Sequence, residues 1–156
     1  MTRGGARPPG ESFADQAFAA AADAYAATPH GWERAVQSAI AALFEFLVTH
    51  PARTTACVAG ESGAGPDALA RRDRLIDRFA GLLRPGFAAA DRPPPPVVAE
   101  AIGGGIYELV RSHVLERRLD QLPAAIPDAT VVALSPFLGP AEALEVARAK
   151  NVQVVR

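Results

Sequence analysis

The stretch AIGGGIYELVRSH, residues 101–113, decides how the chain is read. Apolar residues around it recur at helical spacing: Val98, Ile102, Ile106, Leu109 and His113 form one stripe, and Ala99, Gly103, Val110 and Val114 form the next. The pattern predicts a helix from about Pro95 to Arg118, entered through prolines, which are tolerated in a first turn. Three consecutive glycines stand inside it. Each costs roughly 0.8–1 kcal/mol against alanine in a helix interior, so Gly103, Gly104 and Gly105 together forfeit about 2–3 kcal/mol. A close backbone neighbour, or a ligand, would offset that cost. The apolar arc is also too wide for a helix wetted on one side. It is expected to be covered twice, by its own domain and by something further, most simply a second copy of the chain.

Outward from this helix the same reading continues. Upstream, Ser12 followed by Asp15 is a helix start, and a helix to about Ala27 places Phe13, Ala17, Phe18 and Ala21 on one face. Trp32, Val36, Ile40, Leu43, Phe44 and Leu47 predict a strongly amphipathic helix ending near His50. Pro51 opens a short helix to about Ala59, and GESGAGP, residues 60–66, turns the chain. A helix from about Asp67 to Leu83 then directs Leu69, Leu75, Ile76, Phe79, Leu82 and Leu83 inward. Arg84, Pro85 and Gly86 end it, and the prolines Pro93 to Pro96 make a stiff connector.

Downstream, Val131 and Val132 give IPDATVVALSPFLG some strand character. No second convincing strand exists to pair with it, so a helix from about Pro127 to Phe137 is the better reading, followed by another from Pro140 to about Ala149. Residues 1–11 are rich in Gly, Pro and Arg and are expected to be a disordered lead-in, with 151–156 a tail. The expectation is one domain, residues 12–150: an all-α bundle of about seven helices joined by short loops.

Composition narrows the function classes. The 156 residues are 49% hydrophobic and 21% charged, with a net charge of -1, so no basic excess points to nucleic acid or to anionic membrane. The start, MTRGGARPPGES, lacks the apolar core of a signal peptide, and no apolar run approaches the length of a membrane span. Cys57 is the only cysteine, which excludes an intrachain disulfide and a cysteine-cluster zinc site. A cytoplasmic protein is expected.

Catalytic and cofactor signatures are weak. Cys57 with His50 or His113 invites a thiol-nucleophile reading, but TTACVAG is an apolar stretch in which cysteine is commonly an inert filler. His30, His50 and His113 have no metal-binding spacing. ESGAGP lacks the ending of a phosphate-binding loop, and a glycine triplet within a helix is no dinucleotide fingerprint. No enzyme, cofactor or metal is expected.

Four segments in order carry a resemblance: WERAVQSAIAALFEFLVTHPA, then GAGPDALARRDRLIDRFAGLL, then AIGGGIYELVRSHVLERRLDQLP, and finally ALSPFLGPAEA. Over roughly residues 12–150 the chain resembles the C-terminal regulatory domain of TetR-family transcriptional repressors, in a branch common in actinobacteria. Members of that family carry an N-terminal helix-turn-helix domain. Here ten Gly- and Pro-rich residues stand in that place, so DNA binding by this chain is not carried over.

The resemblance implies a homodimer and a small apolar effector held in a cavity within each subunit. For that cavity Phe44, Leu47, Cys57, Phe79, Leu83, Ile102, Ile106 and Val110 are the expected lining, with Glu61, Tyr107 and Glu108 as polar anchors. The dimer contact is expected from the glycine helix and the Pro127–Phe137 helix, through Gly103, Gly104, Val114, Val131, Leu134, Phe137 and Leu138. Two alternatives stand beside this sensor. One is a DNA-binding-deficient partner that titrates a full-length relative; the other is an ordinary repressor read from a wrong start codon.

Overall fold

The Ser12–Asp15 pair does start a helix. In the computed structural model, which describes residues 12–29, 31–61 and 65–149, the Asp15 amide donates to Ser12 Oγ at 3.1 Å and the Ser12 amide donates back to Asp15 Oδ2 at 3.0 Å. This reciprocal capping box satisfies two amides that the first turn of α1 (Phe13–Ala26) would otherwise leave unpaired. The expected lead-in 1–11 and the tail 151–156 lie outside the described residues.

The helices continue as α2 (Trp32–Thr49), α3 (Pro51–Glu61), α4 (Pro66–Leu82), α5 (Arg84–Ala89), α6 (Val97–Leu115), a 3₁₀ segment (Leu119–Ala125), α7 (Ile126–Leu138) and α8 (Pro140–Arg148). No strand occurs among the described residues, and the fold is an all-α bundle. Each of the seven helices expected from the periodicity is present. The short α5 and the 3₁₀ segment are additional, because each is too short to show an apolar period.

The glycine helix ends three residues before the expected Arg118, for a reason no glycine signals. Arg117 adopts a left-handed φ of 56°, the Arg118 amide donates to the His113 carbonyl at 2.8 Å, and the Arg117 amide donates to the Val114 carbonyl at 3.1 Å. These two bonds are a Schellman termination, with arginine at the position that usually holds glycine. At the other sharp corner the usual residue is present: Gly139, at φ 84°, is the single residue between α7 and α8, which then pack on each other.

Helix α2 is the centre of the bundle, packed against α1, α7, α8 and the 3₁₀ segment, while α4 lies on α6 and α1. The core follows this layout. Phe44, Ile40 and Val36 of α2 meet Leu83, Leu122 and Leu134, all without solvent exposure. Buried Gln37 on the same helix donates through Nε2 to the Val146 carbonyl at 2.9 Å and to Ala149 at 3.2 Å, holding the end of α8 against α2.

No single described helix is long and apolar enough to cross a membrane. Helices α2 and α3 together would meet the length and composition, but they are bent by 101° at their junction.

Candidate functional site

The glycine triplet resolves into three different environments. A Cβ on Gly103 would lie 2.9 Å from the Ile76 carbonyl oxygen, whereas Gly104 and Gly105 have nothing within 4 Å of theirs. Gly103 is therefore the residue that lets α6 cross α4 backbone to side-chain-free backbone. The other two glycines leave one side of α6 bare.

Beside that crossing lies a cavity of about 110 Å³, enclosed by α1, α2, α3, α4 and α6. Helix α6 contributes Gly103, Ile106, Tyr107 and Val110, and α4 contributes Leu75, Ile76 and Phe79. Leu43 and Leu47 of α2 and Thr54, Cys57 and Val58 of α3 form a second wall, and Phe13, Ala17 and Phe18 of α1 close it. The Thr54 hydroxyl is already committed, donating to the Leu47 carbonyl at 2.8 Å. What remains is an almost wholly apolar space in which shape and burial, and not a set of hydrogen bonds, would hold an occupant.

Of the expected lining, Leu47, Cys57, Phe79, Ile106, Tyr107 and Val110 meet at this cavity. Phe44, Leu83 and Ile102 do not; they belong to the packed core, with Phe44 and Leu83 fully buried. The correction is one of helical phase. Neighbouring residues point about 100° apart, so Leu43 faces the space that Phe44 was expected to face, and Gly103 takes the place of Ile102. Glu61 ends α3, and its side chain lies outside the described residues. Glu108 is exposed and bonded to Arg111, which donates to it at 2.8 and 2.9 Å; that contact holds the Glu108 carboxyl below its usual range.

Sequence reasoning missed the whole α1 wall. Its apolar face was visible in Phe13, Ala17 and Phe18, but which helix it would oppose is a property of the tertiary fold.

Arginines lie over the aromatic members of the wall. The Arg53 guanidinium sits 4.7 Å from the centre of the Phe13 ring, Arg78 is 4.3 Å from that of Phe18, and Arg72 is 5.3 Å from that of Tyr107. Arg78 also donates to Asp15 at 2.6 Å. Each of these three rings also lines the cavity.

The residues expected at a dimer contact fall into two groups. Gly103, Val114, Leu134 and Phe137 are buried within the chain. Gly104, Val131 and Leu138 keep partial exposure. The apolar residues that do reach solvent near them are Val97 and Leu115 on α6 and Val132 on α7, exposed by 63%, 55% and 56%.

Both described histidines place Nδ1 on a carbonyl of their own helix: His50 donates to Phe46 and His113 to Leu109, each at 2.8 Å. A carbonyl can only accept, so Nδ1 carries the proton in both. Among the described residues no group of three His, Cys, Asp or Glu side chains gathers where a metal ion could be held. Comparison with known protein families, curated proteins and solved structures finds no match.

Proposed function

We propose that this chain is a small-molecule-sensing and dimerisation domain of the TetR regulatory type, working in the cytoplasm without a DNA-binding element among its described helices. The apolar cavity at the α4–α6 crossing carries the proposal. Such an apolar space, left partly open between helices, forgoes packing that a closed core would have. A bundle with seventeen buried apolar side chains in one cluster has the residues to fill it, and keeping it open is what a binding function requires.

The reading is of a binder and not of an enzyme. An apolar chamber whose polar lining is a thiol, a phenol and the committed Thr54 hydroxyl supplies no acid–base pair, and both described histidines are held on backbone carbonyls. Dimerisation is supported by the bare side of α6, where Val97 and Leu115 flank Gly104 and Gly105, with Val132 of α7 also exposed.

Two measurements test the proposal. Light scattering over a micromolar concentration series should give the mass of a dimer, and a monomer at every concentration removes the dimerisation part. Small apolar probes should raise the melting temperature of the wild type and leave Ile106→Trp, in which an indole occupies the chamber, unchanged. Equal shifts in both proteins would mean that the probes bind elsewhere.

A further inference from the structure

We infer that the ligand of this chamber is an amphipathic anion, a small molecule with an aliphatic or aromatic body and a carboxylate-like head, with Arg53 and Arg71 receiving the head. The inference rests on the sensing proposal and adds the ligand's chemical class.

The argument starts from how the chamber opens. Phe13, Ala14 and Cys57 line the inner cavity and also a second, outer hollow whose remaining walls are Ser12, Arg53, Ala56, Gly60 and Arg71. Three shared residues make the two spaces neighbours across one rim. The inner one is apolar; the outer one presents two cations, Arg53 and Arg71, and no carboxylate among the described residues that line it. A molecule entering with its apolar end first therefore leaves its head between Arg53 and Arg71.

The four arginines around the chamber are not equivalent. Arg78 is neutralised by Asp15 at 2.6 Å, and Arg72 lies within the electrostatic reach of Glu108. Among the described residues, neither Arg53 nor Arg71 forms an ion pair. Arg53 is also pre-oriented. Its guanidinium lies over the Phe13 ring at 4.7 Å, a cation–π contact that engages none of its N–H donors in a hydrogen bond. Because Phe13 belongs to both spaces, the stack fixes that cation at the doorway of the chamber.

Size agrees with this division. Apolar cavities of roughly 150 Å³ take up benzene, so the smaller space of about 110 Å³ suits a short alkyl chain better than a ring. A larger body would have to displace α1, which is the thinnest wall, being built at this point from Ala14 and Ala17 between two phenylalanines.

Hexanoate and 1-hexanol, which share an alkyl body and differ in the head, are the probes. Both are titrated calorimetrically into the wild type, into Arg53→Gln/Arg71→Gln, and into Ile106→Trp, at low and high salt. The expected result is that hexanoate binds the wild type about three- to tenfold more tightly than hexanol, that high salt erodes the preference, and that the double variant abolishes it while hexanol binding is unchanged. Circular dichroism checks that the double variant is folded, and the salt series on the wild type stands if it is not. Equal affinity of the two probes for the wild type, both lost in Ile106→Trp, would overturn the anionic head and leave the chamber standing. A preference that persists in the folded double variant would equally overturn the assignment to these arginines. If neither probe binds the wild type, the sensing proposal fails and this inference fails with it.

Discussion

The two sides of helix α2 are built from the same kinds of residue and end in opposite conditions. On the side of α5, α7 and α8 the space is filled: Trp32 meets the Phe137 ring edge-on at 5.4 Å, Phe87 meets it from another direction at 5.0 Å, and Ala133 and Leu134 are fully buried. Gly86 lies so close that a Cβ there would stand 2.6 Å from the Trp32 ring and 2.9 Å from that of Phe137. On the side of α1, α3, α4 and α6 an equally apolar set of residues leaves a chamber. The difference is in how large and small residues are paired. Beside Phe137, Gly86 is met closely by two rings; beside Gly103 and Ala17 the rings of Phe13, Phe18, Phe79 and Tyr107 line the space without filling it, and arginines lie over three of them. Apolar composition alone does not make a closed core; complementary sizes at facing positions do.

This contrast can be broken at several points. The largest effect is expected from deleting volume in the closed half. Leu134→Ala should cost about 2–5 kcal/mol in urea unfolding. Leu75→Ala, which only enlarges a space that already exists, should cost less than half as much. Equal losses would mean that the two halves are packed alike.

The glycines give the next effect, with opposite signs in the two places. Gly86→Ala forces a methyl between two rings and should lower stability by about 1–3 kcal/mol. Gly104→Ala meets open space within the chain and should raise the stability of the isolated subunit by up to about 1 kcal/mol through helix propensity. Light scattering sharpens this result. A loss of dimer mass in Gly104→Ala, with helix content kept, would place a partner's backbone against the bare side of α6.

The smallest effect concerns the start of α1, the wall nearest the proposed entrance. The Ser12 hydroxyl and amide, together with Arg78, hold the Asp15 carboxyl below its ordinary range. A carboxyl whose folded value is depressed contributes stability above its unfolded value and loses it as the pH falls through the folded one. Asp15→Asn should therefore melt slightly below the wild type near neutral pH, and the gap should close at strongly acidic pH. The effect is small because both partners of the Arg78–Asp15 pair are about two-fifths exposed. A gap that persists in acid would mean that the loss does not come from the carboxylate charge, and no gap at any pH would mean that the cap works through the Ser12 hydroxyl alone.

Much of this architecture was legible in the residues. Helical periods of apolar side chains, prolines in first turns and the Ser12–Asp15 cap locate seven helices, because each signal is a property of a few neighbouring residues. The exceptions are instructive. The end of α6 at Leu115 depends on arginine in a left-handed conformation, for which no composition rule prepares. Leu47, Phe79, Ile106 and Tyr107 line the chamber, whereas Phe44 and Leu83, on the same apolar faces, lie in the packed core. An apolar helix face in the sequence is a stripe, and the stripe does not say which edge is core and which edge is cavity.

The sequence by itself thus determined the helices, their order and their apolar faces, since those follow from local propensity and period. It also marked the glycine triplet as an anomaly needing a cause. Only the tertiary structure decided that Gly103 alone of the triplet is spent on the crossing with Ile76, that the five helices beside it leave a space, and that Arg53 and Arg71 line a hollow sharing three residues with it. Those facts depend on which side chains from distant segments meet and on the volumes they bring, and neither is written in any one stretch of the chain.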